Sequence, residues 1–276
     1  MNAETKLGEE DIAWVKAYAE EVSNAFEDIF NGPKDRFKDG PRLIERFKAA
    51  IEEVLKNRRG KFRAVDEAHN ELCIAAAILQ NSNPKFTVLE YELTLARCAK
   101  TIDFCAKIAD GVTLFIDVKT IKPVPKDRWE QFEKALEERW LPDNVKLIFS
   151  KEWLGGELWH NRFAARSRML EYTLELEQKI ADCKLQADKT FFALMLCWEG
   201  FYWHESELED FVSFYFTGAH RFDDPFSKAE TKYIGERKLK LARTISRFAC
   251  MRRPQGDVHQ KRLNWNVQPP RDPSYQ

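Results

Sequence analysis

Hydrophobic positions in this chain follow two different spacings, and the spacing changes from segment to segment. Apolar residues recur every three to four positions, the pattern of amphipathic helices, in residues 9–30, 41–56, 63–81, 126–140, 157–183 and 205–216. Alternating or continuous apolar residues favour strands in residues 86–94, 100–108, 112–121, 144–150 and 190–198. The order helix, three strands, helix, strand over residues 63–150 predicts an α/β domain.

The most informative local pattern is KTIDFCAKIADGVTLFIDVKTI, residues 100–121. Ala109-Asp110-Gly111 lies between two β-rich runs and predicts a tight hairpin turn. Side chains alternate between the faces of a strand, so Asp103, Asp117 and Lys119 are expected on one solvent-facing side. Their apolar neighbours, Ile102, Phe104, Leu114, Ile116 and Val118, are expected to face a core. Such a charged cluster among apolar strands is costly unless it is paired or binds a metal ion.

Asp103 on one strand, followed by Asp117-Val118-Lys119 on the next, resembles the core motif of the PD-(D/E)xK nuclease superfamily. The resemblance covers residues 61–150, and Ile102 stands where that motif has its proline, a position that varies in the superfamily. It implies a restriction-endonuclease-like α/β fold, with a central mixed β-sheet flanked by helices. Residues 1–60 would then form an N-terminal helical extension, and residues 61–276 the nuclease-like domain.

The resemblance also implies a Mg²⁺ site, at which Mn²⁺ would substitute. Asp103 and Asp117 would be the main metal ligands, and the backbone carbonyl of Val118 would add a further one. Lys119 would orient the attacking water. Burial and the metal are expected to lower the pKa of Lys119, so that it could transfer a proton.

In the resembled family, the helix before the sheet supplies a glutamate to the metal site. Glu71 is the residue we expect in this role, and Glu67, one turn away, is the alternative. Taken on their own, both residues are more simply explained as a solvated pair on an amphipathic helix. The predicted catalytic set is therefore Asp103, Asp117, Lys119 and Glu71.

The predicted function is Mg²⁺-dependent hydrolysis of phosphodiester bonds in nucleic acid, DNA before RNA, in defence or in repair. A homodimer would suit the cutting of two strands. The alternative is a catalytically inactive nuclease-fold module that binds nucleic acid or protein. The sequence leaves open DNA against RNA, and endonuclease against exonuclease activity.

Charge and hydropathy narrow the class of protein further. The net charge of −1 argues against a chain that is basic over its whole surface, but it allows a local basic patch. Residues 228–262 are basic and could contact phosphates, with Trp265 stacking on a base; a solvated helix followed by a strand is an equal alternative. No apolar run reaches the length of a membrane span, and the polar N-terminus is not a secretory signal. We therefore expect cytoplasmic residence and no membrane partner.

The cysteines and short motifs exclude several other kinds of site. No C-x-x-C pair, P-loop, G-x-G-x-x-G or nucleophile-elbow sequence occurs, so structural zinc, ATP and dinucleotide sites have no support. In a chain of this length and expected compartment, we predict that most of the cysteines are buried free thiols and that there is no disulfide framework. The six cysteines are Cys73, Cys98, Cys105, Cys183, Cys197 and Cys250.

Overall fold

The computed structural model of the chain describes residues 6–32, 35–58, 62–80, 85–95, 98–121, 157–199, 205–223, 225–253 and 262–264. The helices in this part of the chain are α1 (Glu9–Asn31), α2 (Gly40–Asn57), α3 (Arg63–Gln80), α4 (Glu157–Cys183), α5 (Glu205–Thr217) and α6 (Pro225–Glu236). The strands are β1 (Phe86–Leu95), β2 (Lys100–Ile108), β3 (Thr113–Ile121), β4 (Thr190–Glu199), β5 (Arg247–Arg253) and β6 (Arg262–Asn264).

The strands form one mixed sheet, in which their order in space follows their order in the chain. Strands β1, β2 and β3 are antiparallel, β3, β4 and β5 run parallel, and β6 returns antiparallel to β5. The parallel step from β3 to β4 needs a long crossover, which includes α4. The predicted α/β class, with a mixed sheet, flanking helices and an N-terminal helical region, is confirmed. The restriction-endonuclease-like arrangement stays a prediction.

Most predicted segments agree with the observed elements to within two residues. The expected Asp-Gly turn is a short 3₁₀ turn, Ala109–Gly111, in which Asp110 has a φ of 64°. Within the basic stretch, α6 and β5 agree with the interpretation as a helix followed by a strand. The helix predicted at 126–140, the strand at 144–150 and Trp265 lie outside the described residues. Of the helices in the described part of the chain, none is both long and apolar enough to cross a membrane.

Each face of the sheet carries its own hydrophobic core. The first core joins α1, α2 and α3 to the sheet, so the helices before residue 60 pack together with α3. The second core joins α4 and α5 to the opposite face. Successive residues of β4 alternate between the cores: Ala193, Met195 and Cys197 lie in the first, and Phe192, Leu194 and Leu196 in the second. Burial on both faces explains why this strand is a continuous apolar run.

A disulfide joins Cys98, in the connection between β1 and β2, to Cys183 at the end of α4. Beside it, Lys100 Nζ lies 2.6 Å from Asp182 Oδ2. The prediction of no disulfide is therefore wrong for these two cysteines, since only the packing of α4 against the β1–β2 connection brings them together across 85 residues. The remaining four are buried and form no disulfide, as predicted.

A buried ionic cluster holds α4, α5 and α6 together. Arg166 of α4 forms ion pairs with Glu207 and Asp210 and donates a hydrogen bond to Glu230, and all four residues are almost fully buried. The ring of His220 lies 2.8 Å from Asp210 Oδ2. Burial raises the pKa of Glu230 to about 8; Arg166 acts in the opposite direction, and the charges of Asp210 and Glu207 add to the increase. The cluster therefore keeps a proton on Glu230 at neutral pH.

Candidate functional site

The backbone pairing of β2 with β3 covers residues 104–107 of β2 and stops one residue short of Asp103. The last pair is Phe104 with Ile116. One residue further along, Asp103 Oδ2 accepts a hydrogen bond from the Val118 backbone N–H at 2.6 Å. The Asp103 carboxylate thus accepts the hydrogen bond from a backbone N–H that a backbone carbonyl would accept if the strand pairing continued. This contact brings Asp103 next to the Asp117–Val118 peptide.

The neighbouring pairing of β1 with β2 also has a gap at Asp103. The opposite residue, Glu92, has a φ of 48°, which is uncommon for a residue other than glycine. On one side of the gap, Tyr91 and Phe104 pair and lie in the first core, whereas on the other side Ile102 lies in the second. The expectation that Ile102 and Phe104 face the same core is therefore wrong, because the strand pair changes faces here.

Asp117 is buried beneath α4, with 1% of its surface exposed. Its Oδ1 lies 2.6 Å from the Nζ of Lys179, which α4 supplies, and its Oδ2 lies 3.1 Å from Lys119 Nζ. Oδ2 has no hydrogen-bond partner among the described residues. The expectation of a solvent-facing side chain is wrong for Asp117, because α4 covers this face of β3.

Lys119 is surrounded by acidic groups and by one aromatic ring. Its Nζ lies 3.9 Å from Glu175 Oε2 and 5.6 Å from the centre of the Tyr172 ring, both on α4. Burial acts to lower the pKa of Lys119, but Asp117 and Asp103 raise it, and the net change is an increase. The protein groups alone therefore favour the protonated form of Lys119, and the decrease expected from a bound metal ion stays a prediction.

The pKa of Asp103 shows that the two aspartates affect each other. Burial and then the negative charge of Asp117 raise the pKa of Asp103 to about 6, against the Val118 N–H and the two lysines, which lower it. Burial and the charge of Asp117 therefore make the ionisation of Asp103 costly. A cation beside Asp103 would reduce that cost.

Glu71 of α3 is buried behind this pair, in a hydrogen-bonded network of its own. Tyr91 donates a hydrogen bond to Glu71 Oε2 at 2.7 Å, and Arg46 of α2 forms an ion pair with the same oxygen. Burial raises the pKa of Glu71 to about 7; Arg46 acts to lower it, and the charge of Asp103 adds to the increase. The influence of Asp103 places Glu71 within electrostatic range of that aspartate.

Glu67, the alternative helix ligand, has a different environment. It forms an ion pair with Arg63 at 2.8 Å, and 32% of its side chain is exposed. Of the two glutamates, Glu71 is the buried one, and the charge of Asp103 raises its pKa. This contrast favours Glu71 as the helix residue of the site.

The donor chemistry fits a metal site built on two carboxylates. Within the described ranges, no three His, Cys, Asp or Glu side chains lie close enough together to hold a metal ion, so Glu71 does not join Asp103 and Asp117 in one cluster. Mg²⁺ commonly takes only one or two carboxylates and keeps several waters. The hydrogen-bond capacity left on Asp117 Oδ2 and the charge repulsion of Asp103 agree with that kind of site.

Several residues of the site were not predicted from the sequence. Lys179, Arg46 and Tyr91 contact the predicted acidic residues from α4, α2 and β1. The sequence offered only an indirect signal, which is that charged residues among apolar strands need partners of opposite charge. Two lysines are the partners of Asp117 here. Three basic residues near the hairpin, Arg97, Lys100 and Lys122, are also candidates from the sequence for contacts with phosphates. Lys100 pairs with Asp182, while Arg97 and Lys122 lie outside the described residues.

Comparison of the chain with protein-family models, with curated proteins and with solved structures finds no match. Membership of the PD-(D/E)xK superfamily therefore stays a prediction from the motif and its strand context.

Proposed function

We propose that this chain is a Mg²⁺-dependent nuclease that hydrolyses phosphodiester bonds, with DNA as its substrate. One observation carries the proposal: β2 and β3 part at the site where Asp103 binds the Val118 N–H and Asp117 lies beside Lys119. The buried Asp117 carboxylate, the part-buried Asp103 carboxylate and an ammonium on adjacent strands would combine a hard-cation site with a group that can orient water.

Asp103 and Asp117 would hold the metal ion, and Glu71 and the Val118 carbonyl are the further ligands that the family resemblance implies. When bound, Mg²⁺ supplies charge neutralisation at the phosphoryl group and lowers the pKa of a bound water. Lys119 orients the attacking water and offsets the excess negative charge. Tyr91 and Arg46 fix the Glu71 carboxylate, which limits its movement relative to the aspartates.

A second function, a catalytically inactive module that binds nucleic acid or protein, is favoured by a different observation. Both oxygens of Asp117 already face lysines, and Glu71 already pairs with Arg46. A fold that had lost its metal could keep such ion pairs for stability alone. The two functions differ in one respect, which is whether a divalent cation can displace a lysine from Asp117.

The biological setting belongs to the same proposal. Action on DNA in defence or repair, a homodimer that cuts two strands, and cytoplasmic residence all follow from the family resemblance and from the composition. The basic stretch 228–262 remains a candidate phosphate-binding surface in this proposal.

A cleavage assay tests the activity directly. Single-stranded, duplex and branched DNA, and RNA, are incubated with the protein in Mg²⁺, Mn²⁺ or EDTA. We expect cleavage of DNA with either metal ion and none in EDTA. Asp117→Asn and Lys119→Met should each lower the rate by about a hundredfold or more, because they remove a metal ligand and the water-orienting ammonium.

A matched acidic–basic pair on the same sheet provides the control. Glu90 and Lys107 form an exposed pair across β1 and β2, with 3.4 Å between Oε1 and Nζ. Glu90→Gln and Lys107→Met should cut at the wild-type rate. Cleavage that persists in EDTA, or that survives Asp117→Asn, would contradict the proposed enzyme. Binding of DNA without any cleavage would favour the inactive module.

A further inference from the structure

Lys179 is a second lysine at the acidic pair, and it is held from outside the hairpin. It lies on α4, its side chain is 18% exposed, and its Nζ contacts Asp117 Oδ1 at 2.6 Å. The end of α4 is fixed four residues later by the disulfide from Cys183 to Cys98 and by the ion pair of Asp182 with Lys100. The helix therefore keeps the Lys179 side chain within reach of Asp117.

A divalent cation and the Lys179 ammonium would compete for Asp117. The Lys179 ammonium lies at hydrogen-bond distance from Asp117 Oδ1. A metal ion that coordinates this oxygen would have to lie similarly close to it. Two positive charges a few ångströms apart in a partly buried site repel each other strongly. Lys119 has a second acidic neighbour in Glu175, whereas the described contacts of Lys179 at this site lead to Asp117 alone. Cation binding is thus expected to displace Lys179 before Lys119.

A displaced Lys179 would need a new anionic partner close by. Lysine has a flexible four-carbon stem and a compact charge, so it can change partners without movement of the helix. If Asp103 and Asp117 hold a metal ion, the anion that approaches them is a substrate phosphate. A lysine left beside the metal is then well placed to contact that phosphate.

We propose that Lys179 changes partners during the reaction cycle, from the Asp117 carboxylate in the metal-free protein to a backbone phosphate of the bound DNA. This inference rests on the proposed nuclease function and assigns a positioning role to a residue outside the predicted motif. Lys179 both restrains metal binding in the absence of DNA and strengthens the binding of DNA once the metal is present. The two effects have opposite signs, which a purely structural ion pair would not produce.

The test measures two equilibria in wild-type protein, Lys179→Met and Lys179→Arg. The first is Mn²⁺ affinity without nucleic acid, measured by calorimetric titration. The second is the affinity for a short labelled duplex with phosphorothioate linkages, which resist hydrolysis, in saturating Mn²⁺. Lys179→Met should bind Mn²⁺ about fivefold more tightly and the duplex about fivefold more weakly, since each lost interaction is that of a partly exposed charge pair. Lys179→Arg should stay near wild type in both.

Lys107→Met is the matched control, because it also removes a lysine that pairs with a carboxylate, but that carboxylate is Glu90 on β1 and not Asp117. It should leave both affinities unchanged. Equal or weaker Mn²⁺ binding by folded Lys179→Met, in a wild-type protein that binds Mn²⁺, would overturn the partner exchange and leave the nuclease proposal intact. A wild-type protein that binds no Mn²⁺ and cuts no DNA would overturn both. Should Lys179→Met fail to fold, wild-type affinities in Lys179→Ser and Lys179→Gln would overturn the exchange, and the opposite shifts would support it.

Discussion

Asp117 shows how far a single acidic residue can be understood from the sequence. Its partnership with Lys119 could be predicted, because residues two apart in a strand share a face. Its contact with Lys179, 62 residues away, could not, because it depends on where α4 packs. The same contact turned a residue expected to face solvent into a buried one. Local spacing therefore predicted the identity of the acidic pair but not its burial or its charge balance.

Glu230 carries the clearest pH dependence of stability in the described part of the chain. The unfolded chain loses this proton near the ordinary value of 4.5, whereas the folded protein keeps it until about pH 8. Between these values the folded state binds more protons, so the contribution of Glu230 to stability is complete below pH 4.5 and is lost as the pH rises through 8. The Glu230 carboxyl group is surrounded by other charged or titratable side chains, and these contribute to every measured stability. They are Arg166, Glu207, Asp210 and His220.

Replacing Glu230 with Gln should remove this dependence, because glutamine has the shape of the protonated acid and does not titrate. The slope of the unfolding free energy against pH should become less negative by up to about 1.4 kcal/mol per pH unit. Urea unfolding of both proteins, at several values between 4.5 and 8, measures the difference. Parallel stability curves for the two proteins would show that Glu230 titrates normally in the fold.

At the scale of elements, hydrophobic spacing predicted the bounds of most helices and strands, because each element buries one face or both. The change of face at Glu92 and Asp103 was beyond such reasoning. No sequence pattern marks a glutamate with a positive φ. The change of face at this position reverses the alternation of side chains between the two faces of the sheet, from which the environment of Ile102 was predicted. The order of the six strands also depends on crossovers that periodicity does not specify.

The Cys98–Cys183 disulfide anchors the end of α4, so breaking it should lower the stability of the protein. It closes a loop across 85 residues, and loop-closure entropy in the unfolded chain predicts a stabilisation of up to about 4 to 5 kcal/mol. Reduction with dithiothreitol should lower the urea midpoint of the wild-type protein accordingly. The measurement compares unfolding curves with and without the reductant.

A Cys98→Ser, Cys183→Ser variant is the control, and its midpoint should not respond to the reductant, because the other described cysteines are not in a disulfide. In wild-type protein without reductant, alkylation followed by mass analysis should show that Cys98 and Cys183 do not react. Two freely alkylated thiols, or a wild-type midpoint that ignores dithiothreitol, would contradict the cross-link.

At the scale of the whole molecule, the candidate site lies where the two cores meet across the sheet. Phe104 packs on the α3 side, Asp117 faces α4, and Asp103 stands at the strand position between these environments. The aspartates therefore have charged neighbours on helices from both faces, with Lys179 of α4 in contact with Asp117 and Glu71 of α3 within electrostatic range of Asp103. A disulfide is more typical of oxidising compartments than of the cytoplasm, so it bears on the predicted location of the protein as well as on its stability.

Diffraction from crystals soaked in Mn²⁺, recorded at the manganese absorption edge, tests the central claim most directly. The account predicts an anomalous peak within coordination distance of Asp103 and Asp117, at about 2.0 to 2.2 Å from their carboxylate oxygens, with Lys179 moved away from Asp117. The same peak should be missing in Asp117→Asn. Crystals that show manganese elsewhere, or no manganese at these carboxylates, while the same preparation cuts DNA, would contradict it.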